Sequence, residues 1–302
     1  MRSKGWTFVL VLLYVTLGFP HAGLAQRPGG GSGFSLSFAD VVQFETDIAD
    51  SQFEVSRYLL RADKDLVFSR KMILNLGISW QADEYTFSGP PADPWSDPFK
   101  TVQKAGAGIN AIFPTNGNWG YFLAGNLNWS WEEGAESAEG LVHGIIASAS
   151  YNFRRDRRLG FGMGIFQGLE ETKIFPYAVV SWSLSEKLSL MNPLRVGPAG
   201  PAGLELVYDA SESWQIGGGA AYRSSRFRLD EEGTAPGGIG ETTGVPAWVR
   251  ASWRASPKVR LEVYAGAILA GEATLEDSSG RRLESDSYNT TPLAAVTLKA
   301  SL

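Results

Sequence analysis

Residues 119–131 read WGYFLAGNLNWSW, and their alternation decides the fold class. Trp119, Tyr121, Leu123, Gly125, Leu127, Trp129 and Trp131 share one face, and Gly120, Phe122, Ala124, Asn126, Asn128 and Ser130 share the other. Alternation of period two over thirteen residues indicates a long β-strand. Aromatic rings stand at both ends of the apolar face and aliphatic groups in its middle. A bilayer favours that order, because amphipathic rings settle at the two headgroup levels and aliphatic groups in the hydrocarbon. The inward face of a soluble sandwich has no reason to adopt it.

The pattern recurs outward from this stretch. In 141–153, Leu141, His143, Ile145, Ala147, Ala149, Tyr151 and Phe153 oppose Val142, Gly144, Ile146, Ser148, Ser150 and Asn152. Residues 72–80 set Met72, Leu74, Leu76, Ile78 and Trp80 against Asn75, Gly77 and Ser79. Similar faces run through 159–165, 214–222 and 259–269. The second face is small and polar, which suits a lumen; a soluble surface would carry Lys and Glu. The candidate aromatic girdle is Trp119, Tyr121, Trp129, Trp131, Tyr151, Phe153, Trp214, Tyr222 and Trp253.

Such segments number about fourteen, near 40–48, 52–61, 71–86, 99–113, 119–132, 141–154, 158–168, 172–184, 186–192, 202–210, 213–229, 245–255, 258–275 and 287–302. Twelve is the alternative count, since the first two and the ninth are weak. Short connections near 114–118, 155–157, 185, 211–212 and 256–257 alternate with longer ones near 87–98, 133–140, 193–201, 230–244 and 276–286. Residues 61–71 are the one expected short-side connection that is not short. Lipid leaves no partner for an open sheet edge, so the strands must close. The expected fold is therefore an all-β, closed antiparallel transmembrane β-barrel over 34–302, with N and C termini periplasmic. A soluble secreted sandwich is the competing architecture.

Composition agrees. The chain has 302 residues, 35 Gly, 10 Trp and no Cys, with 44% hydrophobic residues and a mean hydropathy of −0.10. That excludes a bundle of membrane helices, and the absence of Cys excludes disulfides and thiolate chemistry. A net charge of −5 argues against a nucleic-acid binder. Residues 1–25 pair basic Arg2 and Lys4 with an apolar run from Trp6 to Phe19, then Gly23 and Ala25 before Gln26. This is the three-part form of a secretory signal peptide. Residues 26–33, QRPGGGSG, form an expected flexible leader. Cleavage moves the net charge to −7 and leaves His143 as the only imidazole.

On these residues the chain resembles a bacterial outer-membrane β-barrel. The stretch GLELVYDASESWQIGGGAAYRSSRFRLDEEGTAPGGIGE with the following WVRASWRASPKVRLEVYAGAILAGEATLEDSSGRRL is similar to an uncharacterised family of such barrels, over about 200–302. The resemblance implies fold and a bacterial outer-membrane location, but no activity and no functional residues. Barrels of this kind usually end in an aromatic residue. Here the end is Leu302, after Val296, Leu298 and Ala300 on one face.

Candidate chemistry is sparse. His143 falls on the lipid-side face, whereas a general base must point at substrate. Acids cluster in loops at Glu132, Glu133, Glu136 and Glu139 and at Asp230, Glu231, Glu232 and Glu241. They read as solvated loop charge, with divalent-cation binding as the sharper alternative. Gly160, Gly162 and Gly164 miss the dinucleotide spacing and lie in a strand. No catalytic residue, metal site or cofactor is expected. The strongest constellation is a lumen-side charge stripe of Arg223, Arg228, Arg250, Arg254, Arg260, Glu262 and Lys299, with Glu205 and Arg226 near it. A bulge between Tyr222 and Phe227 and an odd-numbered connection between Arg254 and Arg260 are needed to place it. The stripe either braces the barrel by ion pairing or selects anions in a pore.

The expected function is a passive channel for small solutes, with a closed structural or adhesive barrel as the alternative. Expected partners are the lipid bilayer, lipopolysaccharide and the barrel assembly machinery. The solute is not legible.

Overall fold

The computed structural model describes residues 33–69, 72–115, 117–154, 156–193, 196–199 and 202–302. The signal-peptide and leader readings fall on 1–32, outside the described residues, apart from Gly33.

Sixteen strand segments form one sheet. They are β1 Phe34–Ile48, β2 Ser51–Ser69, β3 Met72–Ser88, β4 Thr101–Pro114, β5 Trp119–Glu132, β6 Leu141–Arg154, β7 Arg157–Gly168, β8 Glu171–Ser183, β9 Leu188–Met191, β10 Gly203–Asp209, β11 Trp214–Ala221, β12 Arg223–Arg228, β13 Ile239–Ser256, β14 Val259–Glu276, β15 Arg282–Tyr288 and β16 Thr291–Ser301. β11 and β12 lie end to end along β13, and β15 and β16 lie end to end between β14 and β1. The wall therefore has fourteen staves. It closes where β1 pairs with β16, from Ser35↔Ser301 to Gln43↔Leu293.

The exterior is apolar and bare. Ile78, Ile145, Phe161 and Val249 are each more than 60% exposed, in the middle of their strands. A soluble sandwich would bury such residues against a second layer; this barrel has none. At the short-turn end, Trp119, Tyr151, Phe153 and Trp182 touch in series, with centroids 5.2, 5.1 and 5.9 Å apart. Trp214 stacks on Trp253 at 6.2 Å, and Tyr121 is exposed on β5. Trp129 and Trp131 lie at the far end of β5, and Tyr222 lies at the β11–β12 junction.

One end carries both described termini and connections of two to four residues; the other carries most of the long loops. Residues 61–71 are not the long connection that the sequence suggests. β2 continues to Ser69 and leaves two residues before β3. The sequence misses this because Arg61, Asp63 and Asp65 look like loop polarity, yet Asp63 pairs with Arg61 at 2.8 Å and Asp65 accepts from Asn75 at 2.9 Å. Residues 239–244, expected in a loop, belong to β13. An eighteen-residue strand is about 60 Å long, far more than a tilted strand needs for an apolar band of about 25 Å. The staves therefore rise beyond the lipid at the long-loop end, where lipid no longer dictates the pattern.

In that raised part the lumen is filled. Trp95 and Phe99, from the loop 89–100, and Leu229 and Ala235, from the loop 229–238, join inward residues of the surrounding strands, including Phe53, Tyr85, Phe227 and Tyr288, in one buried cluster. Here β12 leaves the outer wall and meets β5 at Arg228↔Trp131.

Candidate functional site

The expected charge stripe divides into four groups. The deepest is Arg250, which meets Glu205 at 2.8 Å and Glu262 at 3.3 Å, all buried. Trp248 donates to Glu205, and Tyr264 and Thr297 donate to Glu262. A cation so enclosed braces three staves and presents no free charge to a solute.

The second group lies at the short-turn mouth. Arg254 pairs in register with Arg260, and Arg260 with Lys299. The odd count between Arg254 and Arg260 comes from a two-residue turn, Pro257–Lys258, plus a register shift between Arg254 and Ser256. Arg254 and Arg260 line a cavity of about 570 Å³ together with Lys187, Asp209 and Glu212. Acids therefore share this mouth with the bases.

Arg223 stands alone at mid-height. It donates to the carbonyls of Gly197 at 2.8 Å and Pro198 at 3.4 Å. Among the described residues it has no carboxylate within ion-pairing distance.

Arg226 and Arg228 make the fourth group, and here the expectation is corrected. Phe227 is buried in the cluster at the raised end, so it shares the inward face with Arg223 and no switch of parity occurs. The β11–β12 stave keeps one register along β13, from Ala220↔Ala247 to Arg223↔Gly244, without the expected bulge. Arg226 and Arg228 therefore project from the opposite face. Arg226 binds Glu276 and Glu241 and donates to the Leu169 carbonyl at 2.9 Å; Arg228 binds Glu170 at 3.0 Å. The assumption that Phe227 faces lipid produces the error.

Residues that sequence reasoning passed over complete the mid-lumen. Arg57 and Asp83 are cross-strand partners, with a closest approach of 3.5 Å, and Lys104 reaches the same carboxylate at 2.6 Å. Asp83 is fully buried between them. Inward parity along β2, β3 and β4 is the signal that could have found this trio. Opposite it, Phe166 stacks on Phe175 at 5.5 Å, and Tyr177 follows at 6.4 Å. The Tyr177 ring lies over Gly162, where a Cβ would come within 2.3 Å of it. These groups line a cavity of about 1240 Å³.

His143 sits exposed on the outer face opposite Leu127. Of the acids near the loops, Glu132 ties two neighbouring loops to the end of β5, accepting from the backbone N–H groups of Lys100 and Asp230. Among the described residues no three His, Asp or Glu side chains converge as a metal site.

A closed sheet with an apolar outer belt is a transmembrane β-barrel, and its location is the bacterial outer membrane. No family model and no curated protein matches the chain. Solved structures with a similar fold include an outer membrane channel from Pseudomonas putida F1, at 9% identity and TM-score 0.49, covering 94% of this chain and 100% of that one. The KdgM porin, at 11% and 0.36, covers 89% and 99%. The Pseudomonas putida toluene transporter TodX, at 9% and 0.37, covers 90% of each. The likeness is one of fold alone, and it carries no ligand across.

Proposed function

We propose that the chain is a passive channel for small solutes, with its termini and short turns on the periplasmic side. The mid-lumen cavity carries this reading, because a barrel of fourteen staves that served only as a brace would have little use for a space of about 1240 Å³ lined by Arg, Lys, Asn and Ser. The reading extends to a signal peptide at 1–25, insertion by the barrel assembly machinery and contact with lipopolysaccharide. No catalytic role is assigned: His143 faces away from the lumen, where a base would have to act.

The filled mouth at the long-loop end favours a second reading, a closed barrel that works through its loops. Single-channel recording in planar bilayers separates the two. Discrete conductance steps support the channel; silence at every voltage overturns it.

A further inference from the structure

Among the described residues the wall of the barrel is incomplete between β8 and β12. β9 is four residues long and covers only Ser181–Ser183 of β8. At Asn192 the chain turns out of the wall. The Asn192 side chain accepts from Val180 N–H at 2.7 Å and donates to the carbonyls of Ala178 and Gly203, both at 3.0 Å. It thus closes the lower border of a gap that no strand fills among the described residues. Further on, Ala199 packs inside the lumen with Val41, Trp248 and Tyr264. The upper border is made by side chains. Lys173 of β8 pairs with Glu241 of β13 and lies 3.5 Å from Ser224 of β12.

Between these borders β8 presents a free edge. Val180 directs its N–H and carbonyl toward β9, so the alternation of an antiparallel strand aims those of Ala178, Pro176 and Ile174 the same way. An unpaired donor facing lipid is costly. Pro176 has no N–H to leave unpaired, and proline is the residue that open edges tolerate. The cavity passes through this gap: its lining includes inward Phe175 and Tyr177 and also outward Ile174, Pro176 and Tyr222.

At its inner end the cavity carries an excess of positive charge. Arg57 and Lys104 share the carboxylate of Asp83, and among the described residues Arg223 meets the carbonyls of Gly197 and Pro198 and no carboxylate. At this inner end three described cations therefore face one described anion. Between them and the gap lies the shelf of Phe166, Phe175 and Tyr177. A ligand complementary to all three features has one anionic head and an apolar body.

We propose that the gap is a lateral port, through which an amphipathic monoanion passes between the mid-lumen cavity and the acyl chains of the membrane. Its head group sits at Arg223, and its body lies on the aromatic shelf and leaves between Ile174 and Tyr222. This deepens the channel reading and rests on it, since it names the solute class and the exit that a filled mouth leaves open.

The test uses the full barrel in nanodiscs, with decanoate as probe and decanol as its uncharged control. Binding to empty discs of the same lipid is subtracted. One saturable decanoate site per barrel is expected, undisturbed by equal decanol and weakened about tenfold or more in R223Q, by loss of one charge-assisted contact. Partition equal to that of empty discs, or full affinity in R223Q, overturns the site. The chain has no Cys, so I174C/Y222C can be bridged cleanly by a short bis-maleimide. The bridge is expected to slow decanoate exchange at least tenfold relative to the same variant left unbridged; unslowed exchange overturns the port. Saturable binding in a barrel without ion conductance would remove the channel reading and leave the site standing, so the two failures are distinguishable.

Discussion

Arg250 on β13 reaches Glu205 on β10 over the strand between them, and Gly217 of that strand makes room. A Cβ at Gly217 would lie 2.6 Å from a Glu205 carboxylate oxygen and 2.9 Å from an Arg250 guanidinium nitrogen. Breaking such a pair leaves a buried charge without its partner, which costs about 3–5 kcal/mol. R250A is expected to lose stability on that scale in urea unfolding in lipid, followed by Trp fluorescence. The double variant R250M/E205L should recover part of the loss, because it removes the Glu205 charge together with that of Arg250, while Glu262 keeps the hydroxyls of Tyr264 and Thr297. G217V should destabilise without changing any charge, by forcing the pair apart.

Trp95 is fully buried in the raised end, and its Nε1 donates to Asp286 at 2.8 Å. Truncating a buried Trp to Ala costs about 3–5 kcal/mol, concentrated here on the loop 89–100. W95A is expected to loosen that loop and raise single-channel conductance. Conductance unchanged from the parent would show that this loop does not obstruct the pathway.

The outer and inner faces should answer a new charge differently. Met163 lies in the middle of β7 on the outer face, 45% exposed. Arg at the middle of a lipid-facing strand costs about 2–4 kcal/mol. M163R is expected to lose that much, and N126D, on the inner face, to lose little, in the same unfolding assay. Equal losses would contradict the assignment of faces.

Asp277 stands in the loop after β14, outside the lipid. It accepts from the Ser279 hydroxyl and from the backbone N–H groups of Ser279 and Arg281. These bonds, the Ser279 hydroxyl foremost, hold its carboxyl down at about 2, below its ordinary 3.8. A carboxyl lowered on folding contributes stability that is fully present above the unfolded value and is lost as pH falls through the folded one. The 277–281 turn should therefore keep its order through pH 4 and lose it as pH approaches 2. The carboxyl carbon shift of Asp277 in an NMR titration checks the midpoint, and a midpoint near 4 would refute it.

The barrel was legible because lipid imposes a strict rule. Wherever acyl chains touch the wall, as along β5, β6 and β7, alternate positions must be apolar, and the strand boundaries follow. Above the lipid the rule lapses. Residues 239–244 (IGETTG) look like loop and are strand, and Phe227 looks like a lipid-facing ring and is core. The Arg250–Glu205–Glu262 group could be named from parity alone. The Arg57–Asp83–Lys104 trio shows the same parity, but its members are scattered over three strands whose polar residues resemble solvated ends. The gap beside β8 was not legible at all. It depends on where the chain after Met191 goes, and the apparent ninth strand at 186–192 gave no sign that the wall would stop there.

The contact of β12 with β5 has a consequence for how the molecule comes apart. It gathers nine staves into a narrow turret with a dry, close-packed centre of its own, while β6 to β10 are left as a low parapet held chiefly by ladder bonds and the surrounding acyl chains. Stripping away lipid withdraws the parapet's main support and leaves the turret's intact. Amide exchange in thinning or delipidated detergent should therefore quicken first from Leu141 to Asp209, with the turret the last part to yield.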